Sequence, residues 1–309
     1  MKNLILVNHI KFDSLKILVL GCSGLIGSAI SEKSSKFFDV IGTYNKNTIE
    51  ISGIELVSIN LPRHIDQLCR LLQSEKPDIV IDTIANSNPE FCELNKEQTY
   101  KLHVESFNEI CSVCSEINSK LIFISSDYVF DGKKGNYSEN DETSPLNYYG
   151  VTKVLAEKNV LKYSKNVVIR TSLVYGWNPK AKFLNFVLDN LREEKTISVY
   201  DNIFSPTLLD ELTEVIIKII SSNVSGIFHV VGSSCLSKFY FAKLIAKKFK
   251  MNEELIKSLS IHDSNLKIQI PKNTCLDNTK IKNTFGITLS RIEEGLAKVY
   301  FQSQSAKSN

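Results

Sequence analysis

The chain of 309 residues sets 37 Lys and Arg against 34 Asp and Glu, a formal charge of +3, with 43% hydrophobic and 23% charged residues. This is the balance of a globular protein able to bury roughly three quarters of its unfolded surface. It has no basic surplus of the kind nucleic acid requires, and no apolar run reaches the about 18 residues of a membrane span, so neither is an expected partner. The opening Met1-Lys-Asn-Leu-Ile-Leu-Val-Asn-His-Ile has an apolar patch cut short by Asn8, His9 and Lys11. It lacks a signal-type cleavage site and reads as a short extension before the first strand, which makes cytoplasmic residence the default expectation. Seven cysteines, an odd number without a framework spacing, fit a reducing compartment.

Lys16-Ile-Leu-Val-Leu20 is a short apolar run of the type a buried parallel strand shows. It breaks into Gly21-Cys22-Ser23-Gly24-Leu25-Ile26-Gly27, after which Ser28-Ala-Ile-Ser-Glu32 reads as helix. Strand, glycine turn and helix in that order aim backbone N–H groups and a helix N-terminus at a pyrophosphate. The first two glycines stand one residue further apart than in the common dinucleotide fingerprint. A second strand at residues 39–43 exits into Tyr44-Asn45-Lys46. No acid stands there to take a ribose 2′-hydroxyl, whereas Lys46 suits a 2′-phosphate, so NADPH is the expected cofactor and NADH the alternative.

Further strands are expected at residues 56–59, 79–82, 121–125 and 167–170, with helices over 64–75, 96–117 and 149–163. This βα alternation predicts an α/β doubly wound parallel sheet with helices on both faces. Cys111-Ser-Val-Cys114 lies inside a helical stretch without a second ligand pair at zinc-type spacing, so both cysteines read as small core-facing residues and no metal is called for. Beyond Trp177-Asn-Pro the pattern loosens. Residues 181–204 and 233 onward leave the sheet to build a smaller lobe, while a helix over 208–221 and a strand over 227–231 return to it. The expected division is therefore a dinucleotide-binding domain of residues 1–176 with 208–232, and a substrate-binding lobe of 177–207 with 233–309. The closing Gln302-Ser-Gln-Ser-Ala-Lys-Ser-Asn reads as a frayed tail.

In open parallel sheets ligands sit at the carboxyl ends of the strands. The strand at 121–125 ends there in Ser125-Ser126-Asp127-Tyr128-Val129-Phe130-Asp131-Gly132. Downstream, Tyr149 and Lys153 are four residues apart in Tyr-Tyr-Gly-Val-Thr-Lys and share one face of a helix. A lysine ammonium beside a phenol draws the phenol pKa down toward neutrality. Tyr149 then exchanges a proton with a carbonyl or alcohol oxygen at physiological pH, and the serine hydroxyl at the strand end can bond the same oxygen.

In this order and spacing the motifs make the chain resemble the extended short-chain dehydrogenase/reductases, and within them the dTDP-4-dehydrorhamnose reductase branch. The matching residues are Gly21, Gly24 and Gly27; Ser125 to Gly132; Pro145-Leu-Asn-Tyr-Tyr-Gly-Val-Thr-Lys153; Arg170-Thr-Ser-Leu-Val-Tyr-Gly176; Asn185-Phe-Val187; and Ser205-Pro206-Thr207. The resemblance implies a Rossmann sheet with a smaller C-terminal substrate-binding lobe, and reduction of a 4-keto-6-deoxy nucleotide-sugar in deoxysugar and cell-surface polysaccharide synthesis. Tyr149 would protonate the carbonyl oxygen, Ser126 would orient it, and Lys153 would lower the tyrosine pKa and hold the nicotinamide ribose. The cofactor would meet Gly21, Ser23, Gly24, Leu25, Ile26, Gly27, Tyr44, Asn45, Lys46 and Ala85 besides Tyr149 and Lys153. The nucleotide-sugar would meet Ser126, Asp127, Tyr128, Asn185, Ser205, Pro206 and Thr207. A homodimer is compatible with this reading.

Two positions depart from the family pattern. His103 stands where relatives generally carry asparagine, and Asp82 where they carry asparagine or histidine. A 4,6-dehydratase, a rival within the superfamily, commonly has an Asp-Glu pair after the serine or threonine. Here Asp127-Tyr128 lacks the second carboxylate. A 4-epimerase uses the same trio, and the regulatory subunit of methionine adenosyltransferase resembles the same branch while binding NADP as a partner protein.

Overall fold

Continuous apolar runs dictate the centre of the molecule. The structure, a computed structural model, describes residues 15–47, 49–261 and 267–306; the expected N-terminal extension lies outside them. β1 (Lys16–Leu20) leads through α1 (Leu25–Ser34) to β2 (Asp39–Tyr44) and β3 (Glu55–Ser58). α2 (Ile65–Glu75) precedes β4 (Ile79–Asp82), and α3 (Pro89–Leu94), α4 (Lys96–Tyr100) and α5 (Ser106–Glu116) precede β5 (Lys120–Ser126). α6 (Tyr148–Val160) then leads to β6 (Val167–Thr171). β1, β4 and β6 are buried along almost their whole length, which is why they read as unbroken apolar segments rather than alternating ones.

The chain next runs through β7 (Val174–Tyr175), α7 (Lys182–Arg192), β8 (Ile197–Tyr200), β9 (Ile203–Phe204) and β10 (Thr207–Leu208). It returns by α8 (Leu209–Ile220) and β11 (Gly226–His229), then leaves again through β12 (Leu236–Ser237), α9 (Lys238–Lys248) and β13 (Ile256–Leu259). α10 (Thr279–Phe285) and α11 (Ile292–Ser305) complete it. Seven parallel strands form the main sheet in the order β11-β6-β5-β4-β1-β2-β3. The order reverses between β1 and β4, and at such a point the crossovers to opposite faces leave a crevice at the strand C-termini.

Each face of the sheet has its own core. Leu212, Val215, Ile216 and Ile219 of α8 join Ile30 of α1 and Ile281 of α10 on one face. Leu68 and Leu72 of α2, Phe107 and Ile110 of α5, and Ala156 and Val160 of α6 cover the other. Leu68 and Leu72 are spaced by one helical turn and fully buried, each contributing about 2 kcal/mol. A third cluster gathers Leu184 and Leu188 of α7, Val199 of β8, Phe241 and Ile245 of α9, and Leu296 of α11. This cluster is distinct from the two sheet cores, although α10, from the same C-terminal tract, packs on the main sheet.

Three expectations are corrected. The helix expected over 96–117 is interrupted by a π turn, Lys101–Glu105, in which the Ser106 amide N–H and hydroxyl both reach the Lys101 carbonyl. One extra residue in a turn leaves the apolar pattern nearly unchanged, so periodicity does not reveal it. The expected frayed tail is helical through Ser305, with Ser303 buried. Cys235 and Cys275 form a disulfide across 40 residues, whereas Cys22, Cys69, Cys92, Cys111 and Cys114 are free. Distance along the chain could not suggest a pair that tertiary folding brings together. Among the described residues no helix is long and apolar enough to cross a membrane.

Arg170 is the anomaly within β6, a guanidinium in a fully buried strand. It is matched by Glu157 of α6 at 2.7 Å, both side chains being 3% exposed, and it stacks 5.1 Å from the Phe130 ring. Removing one partner strands the other charge in the core. Arg170→Met is expected to lower unfolding stability by about 3–5 kcal/mol in urea titrations, far more than loss of the surface pair Arg192–Asp189.

Candidate active site

The crevice at the β1/β4 reversal begins with the glycine turn. A Cβ at Gly27 would lie 2.3 Å from the Gly21 carbonyl oxygen, so only glycine lets α1 start this close to β1. Gly24 caps α1 without a side-chain hydrogen bond, and no acid occupies the first turn. The first-turn N–H groups are thus left for an anionic ligand. The cleft in front of them has a volume of about 390 Å³. Of the expected cofactor residues, Gly21, Ser23, Gly24, Tyr44, Asn45 and Ala85 line it; Leu25, Ile26, Gly27, Lys46, Tyr149 and Lys153 do not. The sequence reading missed Thr83, Asn86 and Ser87 after β4, and Lys182, which opens α7 and brings a cation from the lobe to the cleft. A glycine cradle, an uncapped helix start, a β2 end without a carboxylate and a cation opposite together fit a dinucleotide with phosphate groups.

The second half of the site is the meeting of α6 with the tip of β5. Ser126 accepts the Tyr128 amide N–H at 3.2 Å and opens a single 3₁₀ turn. Asn147 caps α6 by accepting the Gly150 amide at 3.1 Å, and Glu93 accepts the Tyr148 amide at 2.8 Å, placing a carboxylate at the helix N-terminus. A Cβ at Gly150 would come within 2.2 Å of the Tyr128 carbonyl oxygen. The bare glycine therefore lets the first turn of α6 press on the 3₁₀ turn, bringing Tyr149 to Ser126. The Tyr149 ring packs edge-on against Tyr128 and His103, with centroids 6.1 Å apart in each case.

Lys153, one turn further on, donates to the Ile124 carbonyl at 2.9 Å and sits 4.5 Å from the Phe123 ring centre. Its ammonium is 5.9 Å from the Tyr149 ring centre. The expectation that this lysine draws the phenol toward neutrality is corrected. Burial dominates and raises the Tyr149 pKa, with the nearby Ser126 hydroxyl pulling the other way. Tyr149 is therefore a neutral phenol, the form that gives up a proton. Burial also lowers Lys153, to about 8, while the charges of Asp82 and Glu157 oppose that shift.

The residues expected to face a sugar are occupied within the protein to differing degrees. Asp127 is wholly buried and accepts from Ser126 at 3.1 Å, Ser172 at 2.7 Å and Thr274 at 2.6 Å. Ser205 accepts the Leu276 amide at 3.3 Å, and the Thr207 hydroxyl accepts from Thr171 at 3.1 Å, so the 205–207 turn joins the lobe to β6. The Asn185 amide holds the Asn178 and Pro179 carbonyls at 3.0 Å each. Tyr128 is half-buried.

Comparison with known proteins follows the same outline. The family described as "RmlD substrate binding domain" matches residues 15–305. The chain is 28% identical to a dTDP-4-dehydrorhamnose reductase of Aggregatibacter actinomycetemcomitans, covering 92% of this chain and 98% of that protein. It is 26% identical to the methionine adenosyltransferase 2 subunit beta of Mus musculus, covering 90% and 85%. A crystal structure of a hypothetical dTDP-4-dehydrorhamnose reductase from Sulfolobus tokodaii superposes with a TM-score of 0.81 at 30% identity, over 91% of this chain and 98% of that one.

The contact at Gly150 is open to a direct check. Gly150→Ala must push α6 off the Tyr128 carbonyl and is expected to lower stability by about 1–3 kcal/mol in urea unfolding. A variant as stable as the parent would show that the contact does not set the helix position.

Proposed function

The chain belongs to the RmlD substrate-binding-domain family, and we propose that it reduces the keto group of a 4-keto-6-deoxy nucleotide-sugar, with NADPH as reductant, in the making of deoxysugars for cell-surface polysaccharide. It is an oxidoreductase of the NAD(P)-dependent, extended short-chain type. The observation that carries the proposal is the neutral Tyr149 phenol held beside Ser126 at the tip of β5, next to a glycine-floored cleft.

Ser126 and Tyr149 both address the carbonyl oxygen of the sugar, Ser126 to orient it and Tyr149 to donate its proton as negative charge develops there. When bound, a reduced nicotinamide supplies the hydride. The phenolate left on Tyr149 is stabilised by the Lys153 cation one helical turn away. The N–H groups at the start of α1 and the Lys182 ammonium would hold phosphate, and the missing carboxylate at the end of β2 favours NADPH over NADH. On the sugar side, the half-buried Tyr128 packs edge-on against Tyr149. Asn185 and the Ser205-Pro206-Thr207 turn shape the wall, and Asp127 accepts the Ser126 proton until the carbonyl oxygen takes it.

The test is incubation with NADPH and a panel of 4-keto-6-deoxy nucleotide-sugars, followed by product identification. A reductase consumes one reduced cofactor per sugar converted, whereas an epimerase shows no net oxidation. NADPH binding without turnover of any of them would point instead to a partner role like that of the adenosyltransferase subunit. Tyr149→Phe is expected to lower kcat by about 10²- to 10⁴-fold with NADPH affinity unchanged, as measured by steady-state kinetics and fluorescence titration.

A further inference from the structure

A small recess of about 10 Å³ adjoins the nucleotide cleft and shares Leu61, Ile84 and Leu102 with it. That is room for a single water. Its polar lining consists of Asp82, His103 and Lys153, set among Phe107, Ile110 and Phe123. Asp82 ends β4 opposite Phe123 in register, and its carboxylate accepts the Ile84 amide at 2.9 Å. Lys153 reaches the same Phe123 ring from α6.

His103 stands on the π turn and is fully engaged. Nε2 accepts the Asn86 amide N–H at 2.9 Å and so carries no proton. Nδ1 therefore bears it and donates to the Thr152 hydroxyl at 3.0 Å, which in turn donates to the Tyr149 carbonyl at 2.8 Å. Burial lowers the imidazole to about 3, so His103 is an uncharged strut between the loop after β4 and α6. Of the other groups facing Lys153, Glu157 on α6 is taken by Arg170 and Ser125, and Cys92 on α3 is a thiol that burial keeps protonated. The thiols facing Asp82 from α5, Cys111 and Cys114, are pushed upward in the same way. Of the residues lining the cavity, among the described residues, Asp82 alone carries negative charge.

We propose that Asp82 is a positioning residue for the reaction: across the one-water cavity its carboxylate supplies the counter-charge that keeps the buried Lys153 protonated, with His103 as the neutral strut that holds the cavity wall. The proposal rests on Lys153 serving the reduction assigned above. The signs follow from burial. Asp82 is raised to about 6 and Lys153 lowered to about 8, so both are charged between those values. Below that window Asp82 is neutral while Lys153 keeps its proton. Above it Lys153 is the group that discharges. Removing the carboxylate therefore lowers the pKa of Lys153 and moves the alkaline limb of activity, not the acid one.

The experiment is an NMR titration of the ligand-free protein labelled with ¹³Cε-lysine, the Lys153 resonance being assigned through Lys153→Arg. In the parent the signal should show its main inflection near pH 8 and a smaller one near pH 6 as Asp82 protonates. Asp82→Asn keeps an acceptor for the Ile84 amide. It should abolish the smaller inflection and move the main one down by about one pH unit, and Asp82→Glu should restore both. The alkaline limb of kcat/KM should move by the same amount in Asp82→Asn. A Lys153 titration identical in parent and Asp82→Asn overturns the proposal. Should Asp82→Asn not fold, absence of the inflection near pH 6 in the parent overturns it equally. A shifted titration with no turnover of any nucleotide-sugar overturns the assigned reaction and leaves the charge pair standing.

Discussion

The site is organised around one ammonium withdrawn from bulk water. Lys153 is 4% exposed, and an isolated charge at that depth is strongly unfavourable unless the protein replaces its hydration. The replacements come from fixed places: the Ile124 carbonyl and the Phe123 ring on β5, and the Asp82 carboxylate at the end of β4. To reach them α6 has to cross β5 in one register. That register sets Tyr149, one turn earlier, over the tip of the strand where Ser126 stands. Gly150 supplies the remaining condition by letting the helix come close enough.

The electrostatics beneath α6 are matched charge by charge. Lys153 and Glu157 lie one turn apart on the helix. Arg170 and Asp82 lie on the strands below, and all four are buried. Glu157 binds Arg170 directly, which leaves Asp82 as the counterpart of Lys153 across a gap. The same burial explains why Tyr149 stays neutral despite its cationic neighbour. Desolvation acts on the whole phenol, while the Lys153 ammonium lies nearly 6 Å from the ring centre and is pointed at a carbonyl. The lysine does not create a phenolate beforehand.

What the sequence made legible is what depends on local pattern. Apolar runs located every strand of the main sheet, the glycine spacing located the cleft, and the four-residue interval placed Tyr149 and Lys153 on one face. The features it concealed depend on contacts between distant segments. Thr274 reaches Asp127 across 147 positions, Cys235 joins Cys275, and Lys182 of the lobe lines the cleft. None has a periodicity of its own. The π turn at 101–105 was hidden for the opposite reason. It is local, but one extra residue in a turn shifts which side chain points inward without removing the amphipathic pattern, and it is this shift that brings His103 onto the cavity wall.

Asp127 shows how a residue read as ligand-facing can serve the site from within. Both of its carboxylate oxygens are engaged, one by Ser126 and the other by Ser172 and Thr274. Oδ2 already holds two donors, so a sugar hydroxyl that took it would leave a buried donor unpaired, at a cost of about 1–3 kcal/mol. The carboxylate is therefore better placed as a joint than as a recognition group. It holds the Ser126 hydroxyl at the strand tip and, through Thr274, the segment of the lobe that also carries Cys275 and the Leu276 amide bonded to Ser205. Ser126, beside Tyr149, and the Thr274 segment are thus tied to one buried anion. A shift of the lobe is felt at Ser126 through two hydrogen bonds and no intervening solvent.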